Sequence, residues 1–458
     1  MQIDFIVRIG DRPCVPGQDL AVEEQAAGGR QEAETSRLLR ELIRIDTTNP
    51  PGRETPAAEL LAAYLTAAGA ECRLLARTPE RANLVARIRG RGDGPSLMLL
   101  CHTDVVVADP GEWSVPPFEG LVRDGQVWGR GALDMKGQAA ASAVALATLA
   151  AEGWQGNGDL LLCAVADEEV DVGCGLRWLV EAHPDAVRAD YVLNEGGGHR
   201  VEAGGRVLYT VGVGETRYAA FAIETHGRSG HASTPSLADN ALTKLAPAIE
   251  RLARLAPPAP PPAALAGFLR AVGHDDADPR RLHDDWSRAD LALASLLEPM
   301  LAGTVTPTVI DASRKSTVVP ARARLVCDCR LLPGSTDEDL ARLVAAALDG
   351  VEHAFEFTEP PVGGSASPAE GPLYDALARL VPELEPGATL APTLFAGFTD
   401  SHWMREAFGS VAYGFMPNRM DPLLARGLMH SADERIPVAD LGRAARFFVD
   451  VAREVGGL

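Results

Sequence analysis

Two periods alternate along the first half of the chain. Asn83–Ile88, Leu97–Cys101, Leu160–Val165 and Tyr191–Leu193 are short apolar runs, the pattern of strands covered on both faces. Leu60–Ala70 and Leu176–Glu181 carry apolar residues at helical spacing, and Gly137–Ala151 is an alanine-rich helical stretch. Strands alternating with helices predict an α/β fold with a mixed, mostly parallel sheet flanked by helices.

The pattern changes after about Gly212. Tyr218–Thr225 alternates like a strand with one wet face, and Asn240–Leu255 is helical. The run "APPAPPPAAL" excludes helix and central strand, so it reads as a surface linker into a helical insertion over Ala264–Leu301. Two strands (Thr304–Asp311 and Ala323–Arg330), a helix (Glu338–Leu348) and a strand (His353–Phe357) follow. They predict an α+β sandwich. Helix and strand alternation resumes after about Gly363 and closes on a helix over Val438–Val455. The expected organisation is an extension over 1–30, the first part of a main domain over 31–212, an inserted unit over 213–360 and the second part of the main domain over 361–458.

Charge narrows the classes of partner. Lys+Arg 43 against Asp+Glu 63 gives a net charge of -20, which argues against a nucleic-acid or anionic-membrane surface. No apolar run reaches membrane-spanning length. Residues 1–30 lack the basic and apolar regions of a secretory signal and are expected to be loosely ordered. Seven scattered cysteines without a CxxC pair argue against a sulfur-rich zinc site and fit a reducing cytoplasm.

Acids and histidines recur where predicted strands end. His102 follows "SLMLLC", and Asp104, two residues on, can take its second ring N–H. Asp134 lies in the glycine-flanked "GRGALDMKG", where one carboxylate can bridge two metals or, equally well, cap the following helix. Glu168 and Glu169 follow "LLLCAVAD"; adjacent side chains diverge, so one can bind metal while the other stays free as a base. Glu195 precedes "GGG", and His430 lies in "LMHSADER". His231, in "GRSGHASTP", is ringed by small residues that admit a ligand. Each alone is as readily a cap, a turn or a solvated acid. Together they need a neutralising cation, because buried carboxylates are otherwise too costly.

The segments "DTTNPPG", "HTDVV", "GRGALDMKG", "ADEE", "NEGG", "GRSGHAS" and "MHSADER" stand in an order that resembles the M20 family of metallopeptidases and aminoacylases. That family includes acetylornithine deacetylases, succinyl-diaminopimelate desuccinylases and glutamate carboxypeptidases. The resemblance runs from about Glu34 to the C-terminus. It implies a zinc-peptidase-like catalytic domain with an inserted lid and dimerisation domain, acting as a homodimer on an N-acyl amino acid or small peptide with a free carboxylate. It implies one zinc on His102, Asp134 and Glu195 and a second on Asp134, Glu169 and His430, with cobalt or manganese also fitting such ligands. It makes Glu168 the general base, Asp104 the partner of His102, and His231 a residue that reaches the partner subunit's site. Arg330 in "DCRLLPG" and Asn240 become substrate-binding residues. Two features depart from the common family pattern: His402 after "TD", where many relatives carry arginine, and the extra segment around 257–301.

Other classes are weaker. A non-catalytic metal-binding scaffold on the same fold has no need of the free Glu168. A dehydrogenase would need a GxGxxG after the first strand, which is absent. A cysteine nucleophile at Cys101 would point away from His102.

Overall fold

A computed structural model describes residues 20–457, with side chains from residue 29 onward. Its centre is a nine-stranded mixed sheet in the order 71–76, 82–88, 160–165, 97–102, 191–194, 411–414, 206–215 and 389–395, with 200–203 paired to 206–215. The inner strands 160–165, 97–102, 191–194 and 411–414 run parallel, and antiparallel strands flank them.

The period of two explains why both faces are covered. Leu97, Leu99 and Cys101 face one apolar core with Leu160 and Leu162, while Met98, Leu100, Leu161 and Cys163 face another. The first core is closed by the helices Leu20–Ile43, Lys136–Glu152 and Val438–Gly456. The second is closed by Leu176–Ala182 and Ser401–Phe408.

The chain enters a separate six-stranded antiparallel sheet at Arg217 and leaves it at Gly363. Its own core joins Phe221, Ile223, Leu325 and Cys327 to Leu245 and Leu252 of the helix Ala241–Leu252 and to Leu340 and Val344 of the helix Asp337–Ala347. Strand Arg322–Leu331 alternates buried and half-exposed positions, so only one face is packed by helices.

Three expectations need correction. The extension expected over residues 1–30 is helical from Leu20, in a stretch rich in Ala, Glu and Gln that favours helix; residues 1–19, with Cys14, lie outside the described residues. The strand Arg206–Glu215 crosses the expected boundary at 213, because its glycines mask the strand pattern. The helices of the 257–301 segment do not pack into the small sheet's core. Leu265, Phe268, Leu269, Leu296 and Leu297 join the first core of the large sheet and cover its edge strand Thr389–Phe395. An open edge strand must be covered, but an amphipathic helix does not encode which sheet it covers. The fit there is close: a Cβ on Gly267 would lie 2.7 Å from the Pro392 ring.

Candidate metal centre

The parallel strands set the site, because their carboxyl ends share one side of the sheet. His102 is the last residue of its strand, Glu168 and Glu169 follow 160–165, and Glu195 follows 191–194. His430 arrives from the far end of the sequence. Strand Arg435–Pro437 pairs antiparallel with Gln126–Trp128, which brings the His430 turn beside the 129–134 loop.

That loop is folded tightly onto the following helix. A Cβ on Gly137 would lie 2.3 Å from the Ala132 carbonyl oxygen. Glu434, fully buried, accepts the backbone N–H groups of Gly131, Leu133 and Asp134 at 3.1, 2.7 and 3.1 Å and pairs with Arg130 at 2.6 Å. The Asp134 backbone is therefore fixed by a residue four positions from His430.

Asp134 stands between two groups. Its Oδ1 lies 3.1 Å from His102 Nε2 and its Oδ2 3.1 Å from His430 Nε2. Glu169 Oε2 lies 3.2 Å from His430 Nε2, and Glu195 Oε1 lies 3.9 Å from His102 Nε2. His102, Asp134 and Glu195 form one group of three within metal-ligating reach, and Asp134, Glu169 and His430 form a second. Glu168 belongs to neither group, with its Oε2 4.0 Å from His102 Nε2.

Asp104 works on both sides. Its backbone carbonyl is 3.1 Å from His102 Nδ1 and its carboxylate 3.4 Å. The same carboxylate accepts the backbone N–H groups of Glu168 at 3.2 Å and Glu169 at 3.1 Å, and Asn49 Nδ2 at 2.9 Å. It thus orients the histidine and the glutamate pair together.

The charges are out of balance without a cation. Burial and the neighbouring Asp134 push Glu195 up to about 8. Burial, then Glu195, pushes Glu168 well above the carboxylate range. Burial also raises Glu169, against its bond to His430. Bonds to Asp134 and Glu169 push His430 up to about 10. Glu169 Oε1 is buried with no hydrogen-bond partner. Divalent metal fits this set: held by these two groups, it would neutralise the acids and give that orphaned oxygen a partner.

A cleft of about 850 Å³ opens over the site. Arg330, from the small sheet, lines it. Its Nε and Nη2 are each 3.0 Å from Asp328, and it lies over the Tyr218 ring. His231 and Asn240 do not line the cleft. His231 is exposed, with Nδ1 2.7 Å from Ser233 Oγ. Asn240 caps the helix Ala241–Leu252, its Oδ1 accepting the Leu242 N–H at 3.0 Å. His402 is buried against Phe398 and Trp403 with Nδ1 3.1 Å from Ser365 Oγ, and burial holds it below the usual histidine range.

Four further residues support the site. Asn49, within the "DTTNPPG" segment, holds Asp104. Arg130 and Glu434 hold the Asp134 loop. Asp400, buried at 5% exposure beside the site and in the "TD" pair, is pushed up to about 8 by burial.

Residues 98–454 match the family model for peptidase family M20/M25/M40. The chain belongs to this family. It is 29% identical over 423 residues to a succinyl-diaminopimelate desuccinylase of Methylobacterium sp. (strain 4-46), covering 90% of this chain and 93% of that one. A succinyl-diaminopimelate desuccinylase of Methylorubrum populi is 30% identical over 436 residues, at 90% and 95% coverage. Among solved structures, the M20 metallo-carboxypeptidase Sso-CP2 of Sulfolobus solfataricus shares the fold with a TM-score of 0.70 at 19% identity, covering 92% of this chain and 99% of that one. Human carnosine dipeptidase 1 does so with a TM-score of 0.70 at 16% identity, at 97% and 100% coverage. This M20 chain is a metal-dependent hydrolase of amide bonds. No described helix is long and apolar enough to cross a membrane.

Proposed function

We propose that this M20 hydrolase cleaves the amide bond of an N-acyl amino acid or short peptide that carries a free carboxylate. The observation that carries the reading is Glu168. It lines the cleft yet stands outside both candidate metal groups, as a base must and a structural ligand need not. His102, Asp134 and Glu195 would hold one divalent ion and Asp134, Glu169 and His430 a second, with zinc, cobalt or manganese suited to such ligands. When bound, such ions polarise a carbonyl and make water more acidic.

The chain's own groups do the rest. Glu168 Oε2 takes a proton from the attacking water and returns it to the leaving amine nitrogen. Asp104 fixes the backbone that presents Glu168 and Glu169 by accepting both of their N–H groups. The Arg330 guanidinium, on the small-sheet wall, binds the substrate carboxylate. The large sheet is the catalytic domain, and the unit from Arg217 to Gly363, apart from its 263–300 helices, is the lid. In a homodimer the lid would carry His231 to the partner's cleft, where it meets the oxyanion. The six described cysteines are free, which fits a cytoplasmic place of action.

The test is amine release from N-acyl amino acids and dipeptides, with metal-stripped protein and after zinc or cobalt is restored. Hydrolysis that returns with metal is expected. Metal uptake with no hydrolysis across the panel would overturn the reading.

A further inference from the structure

The cleft has three arginines on its walls, and two of them have carboxylate partners within the chain. Arg330 gives its Nε and Nη2 to Asp328. Arg177 lies 3.4 Å from Asp171 and 3.6 Å from Glu181, over the Trp403 ring. Arg426 differs. Among the described residues it has no carboxylate partner, although the chain carries a net charge of -20. Its one hydrogen bond is from Nη1 to the Ser295 carbonyl at 3.5 Å. The Nε and Nη2 edge, the fork that matches a carboxylate, is left open.

Its placement follows from the fold. Arg426 is on the short helix Pro422–Leu428, one turn before His430, and lines the cleft beside Met429 and His430. The helix Leu291–Leu297 of the extra segment packs against Pro422–Leu428 and supplies the Ser295 carbonyl. Arg330 stands on the small-sheet wall and Arg426 on the large-sheet wall, with the metal ligands lining the same cleft.

We infer that Arg426 is a specificity-determining residue that binds a second carboxylate of the substrate, held in place by the 257–301 segment. This rests on the amide-hydrolase reading, in which Arg330 meets the first carboxylate through Nη1, the nitrogen that Asp328 leaves free. The second could belong to a dicarboxylic acyl group or to an acidic side chain. The chemistry is the same, an anion opposite an open guanidinium fork.

Three substrates separate the sources: N-acetyl-leucine with one carboxylate, N-succinyl-leucine with the extra one on the acyl group, and N-acetyl-glutamate with it on the side chain. In the metal-loaded full chain, Arg426→Met should raise KM for one of the dicarboxylates roughly 10- to 100-fold more than for N-acetyl-leucine. Arg426→Lys should recover part of that difference, because it restores charge without the fork. Which dicarboxylate responds identifies the source. An equal KM change on all three, or none, would overturn the inference. Calorimetry of succinate against propionate, on metal-loaded wild type and Arg426→Met, decides the point without turnover. Succinate should bind wild type more tightly by a margin that the variant loses, and an unchanged margin overturns the role of Arg426. Absence of hydrolysis on all substrates would count against the amide reading alone.

Discussion

The two sheets contribute to the cleft in different ways. Every candidate metal ligand comes from the large-sheet part of the chain, at or after its strand ends or on loops tied to it. These groups are held by buried partners, as Asp104 holds His102, Glu168 and Glu169, and Glu434 holds the Asp134 loop. The small sheet contributes Arg330 to the cleft of its own chain, while its His231 and Asn240 lie elsewhere. Chemistry that tolerates little displacement sits on the rigid, doubly covered sheet. The small-sheet unit, with its own core, brings a second wall to the cleft, so the proposed substrate contacts, Arg330 and Arg426, face it from both units.

The sharpest test of that division is Glu168→Ala. If Glu168 is the base, its removal should lower kcat by about 10²–10⁴-fold while bound metal is retained, because Glu168 belongs to neither ligand group. Metal analysis and turnover on the same sample check it. Retained activity would move the base elsewhere and erase the contrast between ligands and base.

Next in size is Glu434→Gln. It leaves the buried Arg130 without its counter-charge, and a broken buried ion pair costs about 3–5 kcal/mol. The loop that presents Asp134 should loosen, so metal affinity should fall together with thermal stability. Stability lost with metal affinity intact would mean that Glu434 braces the fold and not the site.

His231 is the point at which the small sheet would enter the chemistry. His231→Ala should cost about 10²–10³-fold in kcat if it meets the oxyanion of a partner subunit. Mixing inactive Glu168→Ala with inactive His231→Ala chains should then restore about a quarter of the wild-type rate, since half the dimers carry one complete site of two. No recovery on mixing would confine the reaction to a single chain. Arg330→Ala, by comparison, should raise KM roughly 10- to 100-fold for carboxylate-bearing substrates with kcat little changed.

How much could be read from sequence follows the same division. The strands 97–102 and 160–165 are legible because burial on both faces leaves nearly unbroken apolar runs, and the ligands sit where those runs stop. Strand 206–215 is obscured because Gly212 and Gly214 make room for close backbone and side-chain approaches and interrupt the apolar pattern. The Glu434 and Arg130 support is invisible for another reason. The pair spans 304 residues, and nothing local to "ADER" says that its glutamate turns inward. The 257–301 helices show their apolar faces but not their target, since either sheet could have received them.

Asn240 is the smallest effect and the finest probe of the division. As an N-cap it accepts the Leu242 N–H at 3.0 Å at the start of the helix Ala241–Leu252, whose Leu245, Ala248 and Leu252 help form the small core. Loss of such a cap costs about 1 kcal/mol. Asn240→Ala should therefore speed hydrogen exchange in the first turn of that helix, and Asn240→Asp, which keeps the acceptor oxygen, should not. KM should stay within about twofold in both if the side chain only caps, since a lost substrate hydrogen bond would raise it further. The opposite result, KM raised in both variants with exchange unchanged, would return Asn240 to the substrate. It would also mean that a residue outside the cleft of its own chain reaches a cleft after all, in a closed lid or across a dimer.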